Sequence, residues 1–263
     1  MPIVFAAITP HPPIIIDGIG KNKKELVNKT ITAFEKLEQN LYTSKPDVIV
    51  IISPHGDIFE NTFAVNLSEN FVSHYEKFGD FATQESWTGE IMLGHIIKEK
   101  SYEKNLPVQL ITEAKLDHGS SIPLSKLTKH FQNIKILPIG NTQLDPKTQL
   151  EFGQLLYEIF SESEKRIAII ASADLSHALN SDSPAGFHKD GAEFDKKIIE
   201  LLESHNTAGI VHLDPELVKN ASQCGYNSII TILGCLRNIN YSFKNICYET
   251  SVGIGYLTGE FVF

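Results

Sequence analysis

Residues 47–56 read DVIVIISPHG. Val48 through Ile52 form an unbroken aliphatic run of strand length. Neighbouring side chains on a strand point to opposite faces, so such a run must be covered on both sides. That is the signature of a strand inside a helix-covered, largely parallel sheet. Pro54 and Gly56 then stop the strand. His55 lies between them, in a shaped turn just past the carboxyl end of the strand, where a core has no use for an imidazole.

The pattern repeats outward from this segment. IVFAAI (3–8), IKILPIG (134–140) and RIAIIAS (166–172) are further continuous apolar strands. TFAVNLS (62–68) alternates, which predicts a strand with one exposed face, and VQLITE (108–113) is extended. Between them, segments 24–41, 89–105, 122–132 and 146–163 carry helical spacing, and helices are expected over 190–204, 214–222 and 226–238. The segments 240–249 and 253–263 close the chain as a hairpin or neighbouring strands. Apolar strands separated by helices define an α/β fold. Without an internal repeat or a Gly/Ser/Pro-rich linker, residues 1–263 are expected to form one domain. Its expected architecture is an α/β sandwich around a mixed, mainly parallel sheet flanked by helices.

Composition excludes several classes of function. The net charge of −9 argues against nucleic acid or an anionic membrane as the main partner. The only dense basic stretch, KNKK at 21–24, is followed at once by Glu25 and reads as a solvated helix start. Three cysteines, Cys224, Cys235 and Cys247, make an odd count without a CxxC pair, which disfavours a disulfide framework or zinc finger and suits reduced thiols in the cytoplasm. The start MPIVFAAITPHPP lacks the layout of a signal peptide, and no apolar stretch is long enough to span a membrane.

Ionisable residues recur at one kind of position. His11 (TPHPP), His55 (SPHG), His118 (LDHGSSIP) and His177 (ADLSH) each follow a predicted strand, and Glu249 ends NICYE. Carboxyl ends of strands are where open α/β sheets bind ligands. Two histidines and one carboxylate can hold ferrous iron with open positions, and the same set can hold zinc with a water. Further histidines would move protons near neutral pH. His188, in PAGFHKDG, is a loop histidine that could line a pocket. His74, His95, His130, His205 and His212 read as surface or helix residues.

TPHPPIII, ISPHG, LDHGSSIPL, SADLSHAL, QCGYNSI and YETSVGIGYL together resemble the class III extradiol ring-cleavage dioxygenases. The catalytic (LigB-type) subunit of protocatechuate dioxygenase belongs to that family. The resemblance runs from His11 to about Tyr256 and is closest to the Memo-like branch, whose members occur near or fused to an AMMECR-type domain and a radical-SAM protein. It implies an α/β sandwich, Fe(II) (or zinc or another divalent ion) on His11, His55 and Glu249, His177 as the acid–base residue, His118 as a second pocket histidine, and Asp174 orienting His177 or its turn. The implied partners are an aromatic diol, opened to a semialdehyde, and O2. A homodimer is common among such proteins. Arg166 and Arg237, the only arginines, both lie outside the motifs. The branch also carries two other expectations: a metal enzyme of different chemistry tied to a radical-SAM pathway, or a binding protein using the same pocket.

Overall fold

The computed structural model describes residues 2–57 and 59–263, the side chain of Asn22 excepted. Ten strands form one sheet. They are β1 (Ile3–Thr9), β2 (Val48–Ser53), β3 (Phe63–Asn66), β4 (Asn70–Val72), β5 (Ser86–Gly89), β6 (Val108–Ile111), β7 (Lys135–Gly140), β8 (Ile167–Ser172), β9 (Ser242–Glu249) and β10 (Tyr256–Val262). The helices are α1 (Asp17–Gly20), α2 (Asn28–Ser44), α3 (Ile91–Glu103), α4 (His118–Leu127), α5 (Pro146–Ser161), α6 (Lys189–Glu203), α7 (Thr207–Val211), α8 (Pro215–Asn220) and α9 (Tyr226–Cys235).

The main path of the sheet runs β4-β5-β7-β2-β8-β1-β10-β9, with β3 joining β7 and β6 joining β3. The centre, β5 to β1, is parallel. The closing hairpin β9–β10 is antiparallel, and so is its attachment to β1. The architecture expected from the sequence, a mixed and mainly parallel sheet flanked by helices, is the one observed.

The period-2 rule divides the core as DVIVIIS demands. Val48, Val50 and Ile52 face one cluster with Phe152, Leu156 and Ile229, so α5 and α9 cover that side. Ile49 and Ile51 face the other, with Phe34, Leu37, Leu41 and Ile122 of α2 and α4. Burial on this scale stabilises by roughly 1.5–3 kcal/mol for each large aliphatic or aromatic side chain. Among the described residues, no helix is long and apolar enough to cross a membrane.

Four local expectations are corrected. β3 is buried along its whole length, because Phe63 and Val65 pack into the core with Phe152 and with Leu93 of α3, while β6 and β7 cover its edges. The helix expected from residue 24 begins only at Asn28, after a 3₁₀ stretch over Lys21–Val27. α4 begins at His118, four residues earlier than its apolar periodicity suggests, because Asp117 caps it by accepting from the Ser120 N–H. His188 is likewise a cap, its Nδ1 accepting from the Asp190 N–H at the start of α6.

Candidate functional site

Strands β2, β8 and β1 are adjacent and parallel, so their carboxyl ends lie side by side. Each places a polar residue two positions beyond its last residue: His55 after Ser53, Asp174 after Ser172, and His11 after Thr9. The loop after β8 adds His177. The turn before α9 adds Cys224, and Gly225 beside it donates its N–H to Asp174 O at 3.0 Å. Gly225 must be glycine, since a Cβ there would sit 2.8 Å from Asp174 O.

His11 is the centre of the arrangement, and its tautomer follows from its neighbours. Ser172 Oγ lies 2.6 Å from the Gly119 carbonyl, which can only accept, so the hydroxyl donates there. It must therefore accept from His11 Nδ1, 2.8 Å away. The proton sits on Nδ1 and leaves the Nε2 lone pair free. That Nε2 lies 3.0 Å from His55 Nε2, 3.5 Å from Cys224 Sγ and 3.4 Å from Asp174 Oδ2. Two ligands on one tetrahedral ion lie about 3.4 Å apart for two imidazole nitrogens and about 3.6 Å apart for nitrogen and thiolate sulfur. His11 Nε2 therefore lies near co-ligand spacing from both His55 and Cys224, and its donor set suits a metal ion. Among the described residues, two candidate ligand sets close within 4.8 Å: His11, His55 and His118, and His11, Asp174 and Cys224. They share His11.

His118, at the first turn of α4, stacks on His55 with ring centroids 4.2 Å apart, and Phe78 meets its edge at 5.2 Å. Asp174 is buried; Oδ1 accepts the His11 backbone N–H at 2.8 Å, and Oδ2 lies 3.8 Å from His177 Nε2. His177 Nε2 is buried and has no hydrogen-bond partner. Ser53 Oγ donates to Asp117, which ties the His55 turn to the α4 cap. A cavity of about 290 Å³ opens beside His55, lined in part by Asn66, Lys77, Lys115 and Gly140.

Glu249 does not join the cluster. Its Oε2 accepts from the Thr30 N–H at 3.0 Å and from Thr30 Oγ1 at 2.7 Å, so it caps the amino end of α2. Two causes act together: β10 separates β9 from β1, and the first turn of α2 offers unpaired donors. Glu249→Ala should cost about 0.5–2 kcal/mol, the usual value of a cap, seen as a lower Tm with metal content unchanged. Cys224 is the residue that sequence reasoning left without a role. Its one signal is its place in QCGYNS, next to a glycine at a helix start.

Electrostatics prepare the imidazoles for a cation. Burial lowers the His11 pKa to about 3, against the opposing pull of Asp174. Burial, with His118 nearby, lowers His55 to about 4. His118 is also lowered, by burial first, with Asp174 opposing. Burial alone would raise Asp174, but its net shift is downward because His11 favours the carboxylate. Burial raises the Cys224 thiol well above its ordinary value, and Asp174 adds to the rise. A thiolate there requires a compensating cation.

The depressed histidines give a pH prediction. Unfolded, each takes a proton near pH 6.5; folded, His11 resists until about 3 and His55 until about 4. Below pH 6.5 the unfolded chain thus binds more protons, so metal-free protein loses stability as pH falls. The slope is up to about 1.4 kcal/mol per pH unit for each histidine, ending near the folded values. Urea midpoints between pH 7 and 4 should fall steadily, and less steeply in His55→Gln.

A buried histidine–carboxylate–thiol cluster at the carboxyl ends of a parallel sheet is the layout of a metal-site α/β protein. The chain belongs to the family described as the catalytic LigB subunit of aromatic ring-opening dioxygenase, whose model matches residues 5–258. Among curated relatives, Protein CA_C1420 of Clostridium acetobutylicum is 28% identical over 258 residues, covering 95% of this chain and 55% of the relative. A MEMO1 family protein of Methanocaldococcus jannaschii is 28% identical over 180 residues, 66% of this chain and 58% of that protein. A Methanosarcina mazei MEMO1 family protein is 32% identical over 129 residues, covering 49% of this chain and 45% of its own length. The chain spans about half the length of the curated relatives it matches. The crystal structure of an uncharacterized protein, JW3007, from Escherichia coli K12 superposes with a TM-score of 0.69 at 19% identity, covering 98% of this chain and 99% of that one, which shows the shared fold.

Proposed function

We propose that the chain is a metal-dependent oxidoreductase that opens a small aromatic diol with O2, its ion held by His11, His55 and Cys224. The observation that carries this reading is His11 Nε2, freed by Ser172 and met by His55 Nε2 at 3.0 Å and Cys224 Sγ at 3.5 Å. Bound ferrous iron would supply a Lewis acid that takes both diol oxygens and passes electrons to dioxygen. His11 and His55 are neutral at pH 7 and need not lose a proton to receive it. Asp174 fixes the His11 backbone and sets a negative charge between His11 and His177. His177 Nε2 takes the diol proton and returns it to the opened product. The cavity of about 290 Å³, which meets the cluster at His55, is the space offered to such a substrate.

A second reading has an observation of its own. With Glu249 on Thr30, the expected set of His11, His55 and Glu249 does not assemble, and the Cys224 thiol stands beside His11 where that carboxylate was expected. That favours the Memo-like alternative, a metal enzyme of different chemistry linked to a radical-SAM pathway. Anaerobic loading with Fe(II) or Zn(II), metal counting, and oxygen uptake across a catechol panel separate the two. Ring opening predicts one ion per chain and one O2 consumed per diol. An ion without oxygen uptake on any diol supports the second reading, and absence of a bound ion sinks both.

A further inference from the structure

Asp195 on α6 lies outside the cluster and is fully buried, yet both of its hydrogen-bond partners are neutral. Oδ1 accepts the Ser176 backbone N–H at 2.8 Å, and Oδ2 accepts the Tyr248 hydroxyl at 2.7 Å. Burial pushes the carboxyl up to about 6, despite both donors. A buried carboxylate so placed is poor material for a core, where an apolar side chain of similar volume serves as well or better. Its contacts suggest another use. Ser176 lies between Asp174 and His177 in ADLSH, and no two of the successive N–H groups there share a carbonyl or side chain. Leu175 N–H reaches Gly255 O at 2.8 Å, Ser176 N–H reaches Asp195, and His177 N–H reaches Ala221 O at 3.0 Å. Ser176 Oγ donates to the same Ala221 carbonyl at 3.0 Å, three residues before Cys224. Gly255 is glycine because any Cβ there would collide with Asp195 Oδ2.

We propose that Asp195, braced by Tyr248, is a positioning residue that fixes the Ser176 peptide and so aims His177 into the site. Its role in turnover rests on reading His177 as the acid–base group; the geometric claim is tested apart from activity. The bridge needs an acceptor facing Ser176, which asparagine supplies and leucine does not.

The test uses the zinc-loaded chain and three variants, Asp195→Leu, Asp195→Asn and Tyr248→Phe. Amide exchange at Ser176 and carbethoxylation of His177 by diethyl pyrocarbonate are both read by mass spectrometry. In Asp195→Leu, Ser176 exchange should rise about 10-fold or more, the size expected for losing a hydrogen bond to a charged acceptor, and His177 modification should quicken with it. Asp195→Asn should restore both toward wild type, a rescue that volume alone would not produce. Wild-type rates in a folded, zinc-bound Asp195→Leu overturn the proposal, as do equal losses in the Leu and Asn variants. Should the leucine variant fail to fold, Asp195→Ala takes its place with the same two outcomes, and Tyr248→Phe tests the brace: faster Ser176 exchange supports it, and an unchanged rate removes Tyr248 from the proposal. If the exchange result holds but the wild type consumes no oxygen with any diol, the functional reading fails and the positioning claim stands.

Discussion

His11→Ala will come out of anaerobic loading without stoichiometric metal. Both candidate ligand sets pass through this residue, so no other single change removes both at once. Its Nε2 is also the one whose lone pair is freed by a fixed neighbour, Ser172. Cys224→Ser should weaken metal binding by at least the 10–100-fold typical of losing a residue that merely supports a ligand, because a hydroxyl is a poorer donor than a thiolate. Glu249→Gln should bind metal like the wild type, since that carboxylate is spent on Thr30. Isothermal titration with Zn(II) ranks the three. Full occupancy in Cys224→Ser with none in Glu249→Gln would restore the carboxylate assignment and reject the thiol.

The second large effect falls on catalysis. His177→Ala should keep its metal, because the residue belongs to neither ligand set. Turnover should drop about 10²–10⁴-fold, the usual loss for a general acid or base. His177 is a partly exposed loop residue with a free Nε2, so the fold should survive with a nearly unchanged Tm. His55→Ala, by contrast, should lose ion and activity together. Metal content measured beside oxygen uptake distinguishes them. If His177→Ala strips the ion while His55→Ala retains it, the two roles are exchanged.

The sequence was informative where one local rule acts alone. DVIVIIS can only be a strand covered on both faces, and Pro54 and Gly56 can only end it, so the place of His55 was readable. The same reasoning located His11, His118 and His177, whereas Asp174 came only with the family resemblance. It failed for Glu249, which does sit at the expected edge of the sheet. Strand order, invisible in the sequence, puts β10 in the way, and the start of α2 claims the carboxylate. Cys224 was unreadable for a different reason: a single cysteine before a helix has no spacing partner, and only the approach of Gly225 to Asp174 brings it to His11. β4 and β5 were missed because segments of three and four residues such as NFV and SWTG carry too few side chains to show a period. Asp195 carries no signal of its own on an amphipathic helix, because only the fold brings Ser176 and Tyr248 to it.

Pro138 sits in the middle of β7, an interior strand, where its missing N–H ought to break a ladder. The outer neighbour of β7 changes there. β5 pairs with Lys135 and Ile136, whereas β3 pairs with Ile139 and Gly140. The Ile136 carbonyl faces the β5 side, receiving the Glu90 N–H, and the Pro138 nitrogen faces the same way, into the gap between partners. Among the described residues, the β3–β6 pair therefore joins the sheet backbone through only two residue pairs, and β6 pairs with no strand but β3. The pair is held instead by its side chains: Phe63 and Val65 are fully buried in the main core, with Phe63 stacked on Phe152 at a centroid distance of 3.9 Å. Because Ala64, Asn66 and Ile111 wall the cavity beside His55, the shape of that wall is set by side-chain packing against the core and not by a continuous ladder, whereas His55, Asp174 and His11 stand on the unbroken β2-β8-β1 ladder.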